Sequence, residues 1–340
     1  MKAIGLNTKE VKPMEPSYWQ KYDLVFKRFS FRGIYKEILG FTNKLGEPFT
    51  KKSKRGRKFK VNPKEYVAYI IFEMISYNCP FRDMELGSEI YLNKHIDHST
   101  FGKNFQKVPY EYFIRLLSMT SKLLERLLGE VKLLIVDSTG IHTKIYYDCL
   151  FEGKETKRKK RLKVHALISS HKKEHITYVR AGLATDLHVS DAGGASIMLK
   201  TQNNTALLLA DRGYDYETLY TTCKQKGIVP NIKPKICKST RSPNRKRAMK
   251  NYNLDLYKKG RGVVETIFGG LRNKGLLSTR LRKEENIYKQ GIICLFRHNL
   301  FTLLRIKAGA KFLSYLINRQ TLLKKWIWIF MKLDLDTLKN

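Results

Sequence analysis

Apolar positions recur with helical spacing through the first third of the chain. Behind Asn62-Pro63, a good helix start, Tyr66, Val67, Ile70, Ile71, Met74 and Ile75 follow one another at that period up to Asn78. Pro80 ends this segment. A second helix is expected over 81–91, and a third runs from a Ser99-Thr100 cap to Lys107. Pro109 opens a longer one, with Phe113, Leu116, Leu117, Leu123, Leu124, Leu127 and Leu128 on its buried side. Gly129 closes the region. The pattern then changes to short apolar runs: 132–136, ending in Asp137, reads as a central strand, and 162–169 and 175–183 read as two more strands around a polar His171–Glu174 turn. A helix over 191–201, a strand over 206–210 that ends in Asp211, a helix over 216–226 and a strand from Ile228 follow. Residues 256–274 return to helical spacing, and the remainder reads as helix with loops. Paired strands followed by alternating helix and strand imply an α/β fold with a mixed sheet, preceded by a small all-α, helix-turn-helix-like region. The expected divisions are a basic N-terminal arm (1–60), the helical region (61–129), the α/β domain (130–305) and a C-terminal helical tail (306–340).

Charge narrows the partners. Lys and Arg total 66 against 30 Asp and Glu, a formal charge of +36. That is far more than solubility requires. It points to a polyanion, of which phosphate backbones are the commonest, although a ribosomal or membrane-surface protein shares the trait. Seven of the ten positions in KKSKRGRKFK (51–60) are basic, among them Arg55, Arg57 and Lys58, and this run is expected to lie along DNA. Residues 233–250 form a second basic stretch, broken by Ser239, Pro243 and Asn244 and read as a mobile loop. The five cysteines include no C-x-x-C pair and argue against a zinc site or a disulfide scaffold. The N-terminus lacks the apolar core of a secretory signal, and no apolar run reaches the roughly 20 residues that span a bilayer. The expectation is a cytoplasmic protein with no membrane partner.

Three acids then stand out. IVDSTG (135–140) and LADRGYD (209–215) each put an aspartate at a strand end, where open α/β sheets bind their ligands. Glu265 lies on a helix whose apolar stripe is Val264, Ile267, Phe268 and Leu271, and Arg261 and Arg272 share its side of the wheel within about 40°. Mg²⁺ takes carboxylate oxygens together with substrate phosphates, and two such ions about 4 Å apart can serve an in-line displacement. Singly, each acid reads as a turn, cap or solvated residue. Only the joint pattern makes a site.

With IVDSTGIHTK and LADRGYD in place, the chain resembles the DDE transposases of prokaryotic insertion sequences, of the insertion-sequence-four and -five types. The family's third motif spaces Tyr, Arg, Glu and Lys or Arg by two, three and six residues. Here Tyr257, Arg261, Glu265 and Arg272 are spaced by three, three and six, with Lys274 an alternative to Arg272 as the final base. The resemblance covers about residues 55–305. It implies a ribonuclease-H-like catalytic fold behind a helical DNA-binding domain. It also implies Asp137, Asp211 and Glu265 as catalytic and metal-binding acids, and Mg²⁺ or Mn²⁺, two ions, as cofactor. Arg261, Arg272 and Lys274 become DNA contacts. The implied reaction is cleavage at the terminal inverted repeats of a mobile element, then joining of the 3′-OH to target DNA. The implied assembly is a homodimer in the synaptic complex, in a prokaryotic, nucleoid-associated setting. An inactive DNA-binding descendant and a structure-specific nuclease on the same fold are the alternatives. His142, His165 and His188 lie near the motifs, His188 in a short His-to-Asp191 element common in the family, and Trp326 and Trp328 are candidates for base stacking.

Overall fold

Five helices precede the sheet: α1 (Phe31–Leu45), α2 (Pro63–Tyr77), α3 (Phe81–Leu92), α4 (His98–Lys107) and α5 (Tyr110–Leu128). The computed structural model describes residues 29–50, 58–129, 132–151, 154–171, 176–202, 206–235 and 242–316. Arg55, Arg57, Trp326 and Trp328 lie outside these. Asn62 caps α2 by accepting from the Lys64 N–H at 2.8 Å, Pro63 takes the first turn, and Asn78 ends the helix in the left-handed region at φ 48°. Every residue from Tyr66 to Ile75 is buried, so α2 is the helix the others surround. The arm expected over 1–60 is not wholly an arm. Ile34, Tyr35, Ile38 and Phe41 form the buried stripe of α1, a helical period that the interleaved charges obscured.

The sheet holds β1 (Leu133–Ile141), β4 (Leu162–His171), β5 (Ile176–Asp186), β6 (Leu207–Ala210) and β7 (Val229–Ile232) in the order β5-β4-β1-β6-β7. The β5-β4-β1 portion is antiparallel, and β6 and β7 run parallel to β1. Between β1 and β4 the chain makes a separate hairpin, β2 (Tyr146–Phe151) and β3 (Lys154–Lys159). The sequence reading has no strands there, because KETKRK offers no apolar alternation.

Successive side chains of β1 and β6 leave opposite faces of the sheet. Leu134, Val136, Leu208 and Ala210 pack with α6 (Asp191–Lys200) and α7 (Glu217–Gln225) in one core. Ile135 and Leu209 meet α9 (Leu254–Asn273), whose Val264, Ile267, Phe268 and Leu271 are all buried, as the wheel predicted. Edge strand β5 is secured by α10 (Glu284–Leu316): the Asn299 side chain accepts from the Val179 N–H at 2.7 Å and donates to its carbonyl at 2.8 Å. This mixed sheet, flanked by helices and preceded by an all-helical region, is the ribonuclease-H-like fold.

One basic stretch departs from expectation. Residues 243–250 form helix α8 (Pro243–Lys250), not a loop, with Ser242 accepting from the Arg245 N–H at 3.3 Å and Pro243 in the first turn. Residues 34–303 group as one compact unit. No helix among the described residues is long and apolar enough to cross a membrane.

Candidate active site

β1 and β6 pair in register as Leu133 with Leu207 and Ile135 with Leu209. Carried two residues on, that register sets Asp137 opposite Asp211, so both carboxylates leave the face that α9 covers. The helix comes close because Gly260 has no side chain: a Cβ there would lie 2.1 Å from Leu209 Cδ1. Arg261 is the next residue.

Each aspartate spends one oxygen on backbone. Asp137 Oδ1 accepts from the Ser138 N–H at 2.9 Å, and Asp211 Oδ1 accepts from the Gly213 N–H at 2.8 Å, which starts the turn Arg212–Tyr214. The other oxygen of each faces Arg261, with Asp211 Oδ2 3.4 Å from Nη1 and Asp137 Oδ2 4.0 Å from Nη2. Glu265, one helical turn on, has Oε1 3.7 Å from Arg261 Nε. The three expected acids therefore surround one guanidinium, each facing a different nitrogen of it, and their own ligand atoms do not all come within 4.8 Å of one another. Burial pushes the Asp137 carboxyl up to about 6, and the Asp211 and Asp191 charges add to the shift while the Ser138 N–H and Arg261 oppose it. For Arg261, burial works against the charge but is outweighed by Asp137, Tyr257 and Asp211, which raise its pKa.

The remaining predicted residues are dispersed. Arg272 Nη2 donates to Thr139 Oγ1 at 3.2 Å, two residues beyond Asp137 on β1. Lys274 is the C-cap of α9, its pKa lowered by partial burial and by the charge of Arg297. Lys58 is exposed at the end of the basic run. Tyr257 is buried beside Asp137 and Arg261, lining the same small recess despite its extra residue of spacing.

Asp191, named in the sequence only as the end of the His188 element, stands beside the first acid. Its Oδ1 accepts from Ser138 Oγ at 2.8 Å and from Lys163 Nζ at 3.1 Å, so it holds the residue beside Asp137. As the first residue of a helix behind Ser190, it looks like any acid favoured by the helix dipole. His165 lies behind it, fully buried, with its pKa pushed down to about 4 by burial and then raised in part by Asp191. Gly194 lets α6 approach that ring, since a Cβ there would be 2.8 Å from Nδ1. His188 is on an exposed turn, and His142 acts through its backbone, bridging Leu277 and Thr279.

Asp215, also in LADRGYD, does a different job. Its fully buried carboxylate accepts from Arg245 Nε at 2.8 Å, Arg245 Nη2 at 2.6 Å, the Lys235 N–H at 2.6 Å and the Tyr220 phenolic hydroxyl at 2.9 Å. Burial alone would raise its pKa, but these donors hold it below the ordinary carboxylate range.

A metal ion needs ligand atoms free to converge. Among the described residues, the group of acids and histidines with ligand atoms within 4.8 Å of one another is Glu85, Asp97 and His98, in the helical region. This group is able to hold a divalent ion, but it already caps α4: Glu85 Oε2 accepts from the His98 N–H and Asp97 Oδ1 from the Ser99 N–H. At the sheet, the donor set is three carboxylates around a cation, which is the ligand chemistry Mg²⁺ and Mn²⁺ take.

Asp211 follows the end of β6 as expected, whereas β1 runs on to Ile141 and leaves Asp137 midway along it, because the β4 ladder continues past the acid. The sheet order with these two acids side by side defines the class, a ribonuclease-H-like fold with an acidic centre. The family description "Transposase DDE domain" matches residues 130–300, half of the chain, and the chain belongs to that family. Among solved structures, it is similar to a cryo-EM structure of the piggyBac transposase synaptic complex with hairpin DNA, at 12% identity over 90% of this chain and 84% of that one, with a TM-score of 0.34. A crystal structure of a pre-cleavage Mos1 transpososome is similar at 9% identity over 87% and 99%, with a TM-score of 0.20. None of the curated proteins compared matches the sequence.

Proposed function

We infer that this protein is a DNA transposase that cleaves the ends of its insertion sequence and joins the freed 3′-OH to target DNA by two-metal-ion phosphoryl transfer. The observation that carries the reading is the convergence of Asp137, Asp211 and Glu265 on the Arg261 guanidinium. Mg²⁺ or Mn²⁺ held by these three acids would supply an activated attacking oxygen and charge neutralisation at the leaving one. Asp137 and Asp211 present their free oxygens, with the other oxygen of each fixed by a backbone N–H. Glu265 closes the site from α9. Arg261 balances the acids' charge in the ion-free site and is well placed to turn to phosphate oxygens, for which its planar fork is suited. Arg272 on the same helix adds a second guanidinium, and Asp191 holds the Ser138 hydroxyl and Lys163 beside the first acid. The net charge of +36 supports duplex DNA as partner, and joining two element ends calls for a homodimer.

The test uses duplex DNA from the flanks of the protein's own reading frame and assays Mg²⁺-dependent cleavage. Asp137→Ala, Asp211→Ala and Glu265→Ala should each cut cleavage by on the order of 10²- to 10³-fold with DNA binding retained. Asp191→Ala should cost less, about 10- to 100-fold. Full cleavage by any of the first three variants would remove that residue from the centre.

A further inference from the structure

Away from the acids, a cavity of about 350 Å³ opens between the helical region and the segment that joins α9 to α10. That is the lower end of the ~300–1,000 Å³ range of small-molecule sites, the scale of a single nucleotide. Its mouth carries Arg280, Arg282 and Lys283, and no carboxylate is among the residues that line it. Arg280 and Arg282 are exposed and have no carboxylate partner among the described residues, while Lys283 Nζ donates to Gln106 Oε1 at 2.9 Å. The Phe81 ring forms part of the wall.

The inner end is polar and built. Gln290 Nε2 donates to Asn78 Oδ1 at 3.0 Å, and Asn78 Nδ2 donates to the Gly275 and Ser278 carbonyls at 2.8 and 2.9 Å. Asn286 is 4% exposed, and its Oδ1 faces the Lys289 ammonium at 3.5 Å, which fixes the amide's orientation. The Asn286 NH₂ therefore lines the cavity with no acceptor among the described residues. That NH₂ is accessible from the cavity, so a ligand oxygen or ring nitrogen placed there can accept from it.

We propose that this cavity receives one unpaired nucleotide of a DNA strand, its phosphate held by Arg280 and Arg282, its base against Phe81 and the Asn286 amide. The proposal rests on the DNA reading above. A cationic rim that tracks phosphate and an aromatic wall that accepts any base is the usual chemistry of single-strand recognition. The wall is also tied to the acidic centre. The His142 N–H donates to the Leu277 carbonyl at 2.8 Å and the Thr279 N–H to the His142 carbonyl at 2.9 Å, which fixes the segment to the end of β1. From Asp137 to His142 the strand advances roughly 17 Å. At about 3.4 Å per base step, the nucleotide taken up lies on the order of five steps from the scissile phosphate.

The experiment compares binding of the full chain to two fluorescent duplexes of flank sequence, one blunt and one with a five-nucleotide unpaired end. The parent should prefer the unpaired end by about tenfold. Arg280→Ala/Arg282→Ala should lose that preference, and Phe81→Leu should weaken it. Arg247→Ala/Lys250→Ala on exposed α8, which removes the same charge elsewhere, should weaken both duplexes equally and keep the preference. Blunt-duplex binding with no preference in the parent, or a preference that survives in Arg280→Ala/Arg282→Ala, overturns the cavity assignment alone. A parent that binds neither duplex overturns the DNA reading with it.

Discussion

Asp211 and Asp215 stand four residues apart in LADRGYD, and each faces an arginine, yet the two pairs are built differently. Asp215 is fully buried, and its two oxygens take four donors at 2.6–2.9 Å, two of them from Arg245. Arg261 is shared among three acids at 3.4–4.0 Å, at or beyond the limit of a good hydrogen bond, and each aspartate there keeps an oxygen that no N–H claims. The first pair is a clasp: with Asn244 donating to Glu217 at 2.6 Å, it anchors basic helix α8 to the turn behind the acidic centre. The second is a loose cation site. Satisfied valence marks structure, and unsatisfied, converging oxygens mark a place for another charge.

Breaking the clasp should have the largest effect on stability. Asp215→Ala removes the carboxylate that accepts twice from Arg245, whose side chain is 12% exposed, and should cost about 3–5 kcal/mol in urea unfolding. Replacing both partners, as Asp215→Ala/Arg245→Leu, should recover a good part of that loss. Little loss in the single variant would mean that the pair is not a clasp at all.

The acidic centre should respond in the opposite sense. Below pH 3.8 the Asp137 carboxyl is protonated in folded and unfolded chains alike and costs nothing. Between 3.8 and about 6 the unfolded chain gives up its proton first, so the folded state loses stability as pH rises, and above about 6 the cost is complete. With the partial exposure of the group discounted, the cost is about 2 kcal/mol. Asp137→Asn should therefore gain roughly that much over the parent at pH 8 without divalent ions, and none at pH 3, in denaturant unfolding across pH. An equal difference at both pH values would show that burial does not strain this carboxylate.

Much of this contrast was legible in the sequence, but unevenly. Short apolar runs ending in aspartate pointed to Asp137 and Asp211, but only Asp211 ends its strand; β1 continues through Asp137 to Ile141 as a half-exposed strand, which a run of apolar residues could not show. The stripe of Val264, Ile267, Phe268 and Leu271 is buried as read, with Glu265 beside Arg261 at its border. The clasp made by Asp215 was not legible, since its partner Arg245 is 30 positions away in a stretch whose charge reads as loop. Asp191 entered the sequence reading only through His188, and its place at a helix start gives it a second, structural explanation. Helix α1 was masked by the basic residues on its outer side, and the β2–β3 hairpin by a sequence without alternation.

The central claim is that the three acids around Arg261 form the divalent-ion site. Calorimetric titration of Mn²⁺ into the full-length protein at pH 7.5 tests it most directly, with Asp211→Ala, Asp215→Asn and Glu85→Ala beside the parent. Mn²⁺ heat should be lost in Asp211→Ala and kept in Glu85→Ala and in folded Asp215→Asn. Binding unchanged by Asp211→Ala and abolished by Glu85→Ala would contradict it, moving the ion to the helical region.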